Sequence, residues 1–349
     1  MRPAPTRIEP IFSPRIWGAR SLAPLFPEKT DLAEPLGEAW LTGVDCRIAS
    51  GPFAGKKLAE AWTHMPAEWR GEQLADVVDF PLLVKFIFPT DKLSIQVHPD
   101  DAYASAHERV AGGRGKTEMW HVVSAYSGAQ VLVGLKPGVD KERFRQGLAQ
   151  HTLENLFEAV PVHAGDTLFV PAGTPHTIGP GMVICEVQEY SDLTYRVYDY
   201  GRVDAHGKPR ELHIEKALEV TKFGSHAGGK VTPLPLPADG AERSLLAACR
   251  YFAAERWECS QECEIPLDAA RFELLIMLEG AGSFSWPDSA ARYHTGECWL
   301  VPASQGRIDV RPEATTSMIR TYVPDLAALR TDLHHDGISA AALAQVIFD

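Results

Sequence analysis

Short apolar or alternating runs, punctuated by Gly and Pro, dominate the chain and predict a mainly β architecture. The clearest predicted strands cover residues 82–88, 93–97, 119–123, 129–135, 167–170, 182–188, 272–278, 297–301 and 318–322. Helical spacing interrupts them at 100–110, where Asp100 follows Pro99 as a cap, and again at 140–157 and 211–220. Residues 325–333 and 339–347 predict two small helices in a C-terminal tail.

The strands contain an internal repeat. His163 through Gly165, Val170, Pro171 and His176 aligns with His294 through Gly296, Val301, Pro302 and Arg307. Each copy has a turn glycine, a five-residue strand ending in Val, then Pro-Ala and a second turn. The first copy resembles the Gly-x5-Pro-x-Gly-x2-His pattern of the cupin jelly-roll barrel. In the second copy, Arg307 stands where the histidine would be and Ser304 replaces Gly173. Two cupin-type jelly-roll barrels with a few short helices are therefore expected, of which one binds metal.

The expected division is a metal-binding barrel over 1–223, a degenerate barrel over 244–323 and a helical tail over 324–349. The first unit includes N-terminal strands, some of which can be shared with the second barrel. A Gly-, Pro- and Ala-rich stretch from about 224 to 243 reads as the connection.

Composition narrows the function. The chain has 349 residues, 45% of them hydrophobic, which suits a two-domain protein with a proper core. Its net charge of −12, without a basic stretch, argues against nucleic acid as a partner. No apolar run reaches the roughly 18 residues of a membrane span, and the N-terminus lacks a signal-peptide core. Cytoplasm is the expected location. The six cysteines form no zinc-type clusters and read as free, mostly buried thiols.

The candidate chemistry is split across two β-rich segments. Gln96 and His98 lie two apart, so on a strand both face one side, while Val97 points away into a packed layer. Glu118 opens a later strand, and His176 follows a Pro/Gly turn. Singly, each histidine fits a hydrogen-bonded core position. Together, one amide oxygen, two imidazoles and a carboxylate suit a Zn²⁺-like ion with room for substrate. His121, three residues after Glu118, should face the opposite side of a regular strand as an exposed or core residue.

Acid–base and charge-stabilising candidates lie nearby. Glu186, on a strand leading from the metal turn, is a candidate general base or an orienter of neighbouring groups. Arg196 carries a fork of donors fit for an enediolate or a phosphate. Lys85 sits inside an apolar run and Lys116 beside a metal-type ligand, and either suits phosphate binding or proton transfer.

These segments resemble the type I mannose-6-phosphate isomerases in their short bacterial form. The resemblance rests on residues 16–18, 37–40, 81–85, 93–100, 115–120, 170–176, 194–202 and 207–213, and spans roughly 7 to 322. It implies one zinc ion per chain, with other divalent ions also compatible, held by Gln96, His98, Glu118 and His176. It also implies Glu186, Arg196, Lys116 and Lys85 as active-site residues and Ser94 as a phosphate contact.

The implied activity interconverts mannose 6-phosphate and fructose 6-phosphate through a cis-enediolate. The expected partner is a phosphorylated hexose, with no nucleic acid or membrane, and the chain is expected as monomer or homodimer. Isomerisation of another sugar phosphate, non-catalytic sugar-phosphate binding and metal-dependent dioxygenation are the competing readings. The choice of base between Glu186 and a lysine stays open, as does the role of the tail.

Overall fold

The computed structural model describes residues 4–203, 207–224, 228–287, 289–304 and 306–349, with only the backbone of Ala111. Its strands pair antiparallel throughout and build four sheets, which stack as two sheet pairs. The first pair joins a seven-stranded sheet to a five-stranded one. In order, the larger runs Gly229–Val231, Thr167–Val170, Glu118–Ala125, Met182–Glu189, Leu82–Ile87, Leu36–Trp40 and Ile11–Ala19. The smaller runs Tyr195–Tyr198, Ile95–Val97, His176–Ile178, Gln130–Leu135 and Phe157–Pro161. Trp120, Leu168 and Ile184 meet Val131, Val133 and Ile178 between them.

The second pair joins an eight-stranded sheet, which includes Ala253–Cys259, Thr316–Tyr322, Glu273–Glu279 and Cys298–Val301, to a four-stranded one. Its interior is filled by Trp257, Leu275, Met318, Ile265, Phe284 and Ile308. Thr6–Glu9 pairs with Cys298–Val301 on one side and Arg47–Ile48 on the other in the eight-stranded sheet, so this N-terminal strand belongs to the second barrel.

The two large sheets pack back to back. Val84, Phe86, Met119 and Cys185 face Ala254, Leu274, Ile276 and Ile319 across an apolar layer. This explains the unbroken burial of Leu82–Ile87, because both faces of that strand are covered. Leu82, Val84 and Phe86 enter the inter-barrel layer, which leaves Lys85 and Ile87 on the barrel-interior face. The five-stranded sheet is backed by helices. Ile95, Val97 and Tyr195 pack against Phe144 of the helix Lys141–Ala149 and Leu218 of the helix Ile214–Val220.

The expected helices over 100–110 and 140–157 end sooner than expected, while the one over 211–220 begins later, at Ile214. Asp100 accepts from the Tyr103 amide at 2.9 Å, but the helix stops at His107 and a 3₁₀ turn follows at Arg109–Ala111. Asp140 accepts from the Arg143 amide at 2.8 Å, and that helix ends at Ala149 before His151 adopts φ +57°. The expected helix over 140–157 is thereby cut in two, with a 3₁₀ turn at Leu153–Leu156. The helix Leu58–His64 was not anticipated. Its Trp62 packs edge-on to Phe80 and Phe272 at 5.2 Å, where a tertiary cluster decides what a short pattern does not.

The stretch expected as a plain connection is itself strand. Gly229–Val231 joins the first barrel and Leu234–Leu236 the second, while residues 225–227 of it lie outside the described set. Ungapped pairing with sheet edges overrides its Gly/Pro-rich composition. The tail folds into the helices Leu326–His335 and Ala340–Leu343. Beyond them Phe348 stacks on Phe169 at 4.0 Å, and its amide donates to the Ala248 carbonyl at 2.8 Å. The tail thus closes one end of the inter-barrel layer.

The repeat occupies equivalent places in the two barrels. Gly165 and Gly296 both take positive φ, and their amides donate to Val122 and Met277 at 2.8 Å. Arg307 lies on an exposed strand face with Asp309 and Glu264, and Gln305 lies outside the described residues. Among the described residues, no helix is long and apolar enough to cross a membrane.

Candidate active site

The open end of the first barrel collects side chains from both of its sheets. On the five-stranded sheet, Gln96 pairs with His176 on one side and with Arg196 on the other, so the three project from one face at one level. On the facing sheet, Glu186 pairs with Trp120 and with Lys85, and Glu118 pairs with Gln188. His98 and Lys116 lie just outside the strands. Two backbone bonds fix them: Gly173 N–H to the His98 carbonyl at 2.8 Å, and Lys116 N–H to the Pro99 carbonyl at 3.0 Å. Gly173 is required there, since φ is +84° and a Cβ would sit 2.9 Å from the Val220 carbonyl.

His98, Glu118 and His176 are buried and bring one donor atom each within 4.8 Å of the others. His176 Nε2 lies 3.3 Å from Glu118 Oε1, and His98 Nε2 lies 3.7 Å from Glu118 Oε2. Tetrahedral bonds of about 2.1 Å set donor atoms about 3.4 Å apart, so this spacing fits a zinc-sized ion. The Gln96 amide lies 3.3 Å from His176 Nε2, and a half-turn of that amide would present its oxygen to the same point.

Both imidazoles are oriented for metal. His98 Nδ1 donates to the Leu193 carbonyl at 2.8 Å, and His176 Nδ1 donates to the Thr174 carbonyl at 2.9 Å. That leaves each Nε2 as the free lone pair, and His98 Nε2 has no hydrogen-bond partner among the described residues. Burial, reinforced by the Lys116 charge, holds His98 well below the usual histidine range. Burial brings His176 down to about 4. Both rings are therefore neutral near pH 7, the form that binds metal.

Around this cluster runs a charged wall. Lys116 Nζ lies 2.9 Å from Glu118 Oε2 and 3.6 Å from Glu186 Oε1. Burial opposes its charge, but Glu118 and Glu186 more than offset that and push its pKa up. Glu186 also receives the Trp120 indole N–H at 3.2 Å and faces Lys85 Nζ at 3.7 Å. Lys85 sits over the Trp40 ring at 4.5 Å and reaches Asp192 at 3.4 Å.

A cavity of about 430 Å³ opens onto this wall, lined by Lys85, Ser94, Gln96, Lys116, Glu186 and Arg196 among others. Arg196 bonds to the Ser94 hydroxyl at 3.3 Å and the Glu211 carbonyl at 3.0 Å, so its charge is not spent on a carboxylate there. Burial and the neighbouring Arg210 lower its pKa.

The chain thus brings together the candidate ligands Gln96, His98, Glu118 and His176 with Lys85, Ser94, Lys116, Glu186 and Arg196. It adds Arg15, Glu38, Asp192, Arg210 and His213 to the cavity lining. Arg15 is braced by Glu38 at 2.6 Å, and Arg210 by Asp199 at 2.7 Å. Most of these lie in or beside segments that carry the resemblance, yet nothing local marks them as facing the cavity. His121 points into the inter-barrel side, buried, with Nδ1 3.2 Å from the Thr167 hydroxyl.

Comparison with known proteins bears on this geometry. The family model for the catalytic domain of type I phosphomannose isomerase matches residues 6–128. A mannose-6-phosphate isomerase of Streptococcus mutans is 38% identical over 77% of this chain and 83% of its own. The chain belongs to the type I mannose-6-phosphate isomerases. In the solved structures, the mannose 6-phosphate isomerase of Bacillus subtilis superposes with a TM-score of 0.83 at 29% identity. That match covers 91% of this chain and 99% of the other. A zinc-bound mannose 6-phosphate isomerase shares the fold at 17% identity, with a TM-score of 0.73 over 91% of this chain and 99% of its own. The cupin-type barrel pair is thus the architecture of this isomerase family.

Proposed function

We propose that this isomerase interconverts mannose 6-phosphate and fructose 6-phosphate in the cavity beside His98, Glu118 and His176. The observation that carries the residue assignment is the place of Glu186: a buried carboxylate lining the cavity, with Lys85 and Lys116 facing it at 3.7 and 3.6 Å.

His98, Glu118, His176 and Gln96 would hold the zinc ion. When bound, it supplies a Lewis acid that draws electron density from the sugar's oxygens and acidifies the adjacent C–H. Glu186 removes the proton from C2 of the open-chain aldose and returns it to C1, the single transfer that turns aldose into ketose. Lys116, between Glu118 and Glu186, is placed to hold or move the proton that migrates between the sugar's O2 and O1. The intermediate between these transfers is a cis-enediolate whose negative charge Arg196 offsets.

The cationic end of the cavity suits the phosphate. Ser94 offers a hydroxyl there, and Arg15 and Arg210 add fixed charge. A cytoplasmic location goes with this reading, supported by six free and buried cysteines.

A coupled assay for fructose 6-phosphate formed from mannose 6-phosphate tests it, on chelator-stripped protein with and without added Zn²⁺. Turnover that returns with the metal supports the reading. Stoichiometric metal binding without turnover, while another sugar phosphate is isomerised, would move the assignment to that sugar.

A further inference from the structure

Glu189 is a buried carboxyl that the proposed chemistry does not use. Its Oε1 accepts from the Thr117 amide at 2.7 Å, and its own amide donates to the Thr117 carbonyl at 3.3 Å. Thr117 is the residue between Lys116 and Glu118. Asp101 lines the same surface pocket as Glu189, and its Oδ1 accepts from the Gly115 amide at 2.9 Å. Burial, with the Asp101 charge next, pushes Glu189 up to about 8.

The other oxygen of Asp101 is held from across the barrel interface. Asp101 Oδ2 accepts from the Tyr251 hydroxyl at 2.7 Å and from Arg250 Nη2 at 3.0 Å. Both residues lie in the turn between Glu242–Ala248 and Ala253–Cys259 of the eight-stranded sheet. The segment that Asp101 and Glu189 hold, residues 113–117, has no regular structure of its own. Its backbone depends on outside partners for position.

We propose that the Arg250–Tyr251 turn of the second barrel positions Lys116 and Glu118 in the first, acting through Asp101 on the Gly115 amide, with Glu189 bracing Thr117 beside it. The barrel with no metal-type cluster among its described residues thereby holds a reacting lysine and a metal-type ligand of the other. This rests on the assignment of Lys116 and Glu118 to the site. Arg250, Tyr251, Asp101 and Glu189 are positioning residues, because none of them touches the cavity's reacting groups.

The test compares full-length R250A/Y251F, Glu189→Ala and Glu189→Gln with the wild type. It reads kcat, KM and zinc affinity, and uses Tyr293→Phe as a control for destabilisation inside the second barrel. Tyr293 bonds Thr316 at 2.9 Å, away from the interface turn. The expected result is a kcat and zinc affinity reduced about tenfold or more in R250A/Y251F and Glu189→Ala, the range for lost outer contacts to a metal site. KM should change less than kcat. Glu189→Gln keeps an acceptor for the Thr117 amide, so it should restore most of what Glu189→Ala loses. Wild-type kcat and zinc affinity in R250A/Y251F would overturn the proposal. So would an equal loss in Tyr293→Phe, which would reduce the effect to general destabilisation. Absence of zinc-dependent turnover in the wild type would instead overturn the assignment of the site.

Discussion

Glu118 and Glu273 hold the same register position in the two barrels. Each lies opposite the valine that ends the repeat strand, Val170 in one and Val301 in the other. The correspondence extends across the sheets. Glu186 pairs with Trp120 and Lys85, and Arg320 pairs with Leu275 and Glu255, with Trp120 and Leu275 each two residues past the glutamate. Where the first barrel places Lys85, Glu186 and Glu118, the second places Glu255, Arg320 and Glu273. The central charge is inverted, and the second set closes on itself: Arg320 Nε donates to Glu273 at 2.8 Å, and Arg243 Nε to Glu255 at 3.0 Å. With its carboxylates consumed by arginines and its interior filled with apolar side chains, the second barrel has no comparable metal-type cluster among the described residues.

This closure makes Arg320 a stability residue. Burial opposes the charge on Glu255, but Arg320 and then Arg243 draw its pKa down to about 2. Arg320→Met would leave Glu255 and Glu273 buried with one arginine fewer, a loss of about 3–5 kcal/mol. Urea denaturation should show that loss, while turnover per zinc-loaded, folded molecule stays at the wild-type value. A midpoint unchanged from wild type would mean the network contributes nothing net.

Glu186→Gln should abolish turnover and spare the metal. Removal of a general base costs about 10² to 10⁴ in rate, and Glu186 is not in the metal-type cluster. The check is a coupled assay together with metal stoichiometry on the same preparation. Near-normal activity would hand the base role to Lys116 or Lys85.

Arg196→Ala should lower kcat/KM by about 10² to 10³ with zinc content unchanged, since its donors face the cavity and not the histidines. Arg196→Lys should recover only part of this, because a point charge cannot replace the guanidinium fork. Full recovery by lysine would show that charge alone is read at this position.

His121 should make stability depend on pH. Burial, then the Arg256 charge, holds it at about 3 against an ordinary 6.5, with Asp166 working the other way. Below about pH 6.5 the unfolded chain binds a proton that the folded chain does not. The stabilisation is thus complete above that pH and falls by roughly 1.4 kcal/mol per unit as pH drops toward 3. His121→Gln removes this titration. Unfolding free energies of zinc-free protein between about pH 6 and 4 should show a flatter slope in the variant by that amount. His98 and His176 titrate in both proteins and cancel in the difference. Parallel slopes would show that His121 is free to protonate in the fold.

What could be read along the chain was what short range controls. Alternation puts Gln96 and His98 on one face, because successive strand residues point to opposite sides. Asp100 marks a helix start, because a carboxylate beside the first free amides satisfies them wherever the chain goes next. The Gly165 and Gly296 turns disclose the repeat, because positive φ selects glycine locally. Helix ends, the short strands at 229–236 and the helix at Leu58–His64 escaped, since sheet edges and the Trp62 cluster decide them.

The sequence by itself carried the resemblance that points to the barrel type and the family, and it put forward a set of metal-type donors. These rest on residue identities at fixed local spacings. Only the tertiary structure decided that Arg15 and Arg210 share the cavity with Arg196, that the charges of the second barrel mirror the first with Arg320 in place of Glu186, and that Tyr251 reaches Asp101. The partners in that last contact lie 150 residues apart. Their meeting depends on strand register and on the back-to-back packing of two sheets, quantities that no local pattern of residues encodes.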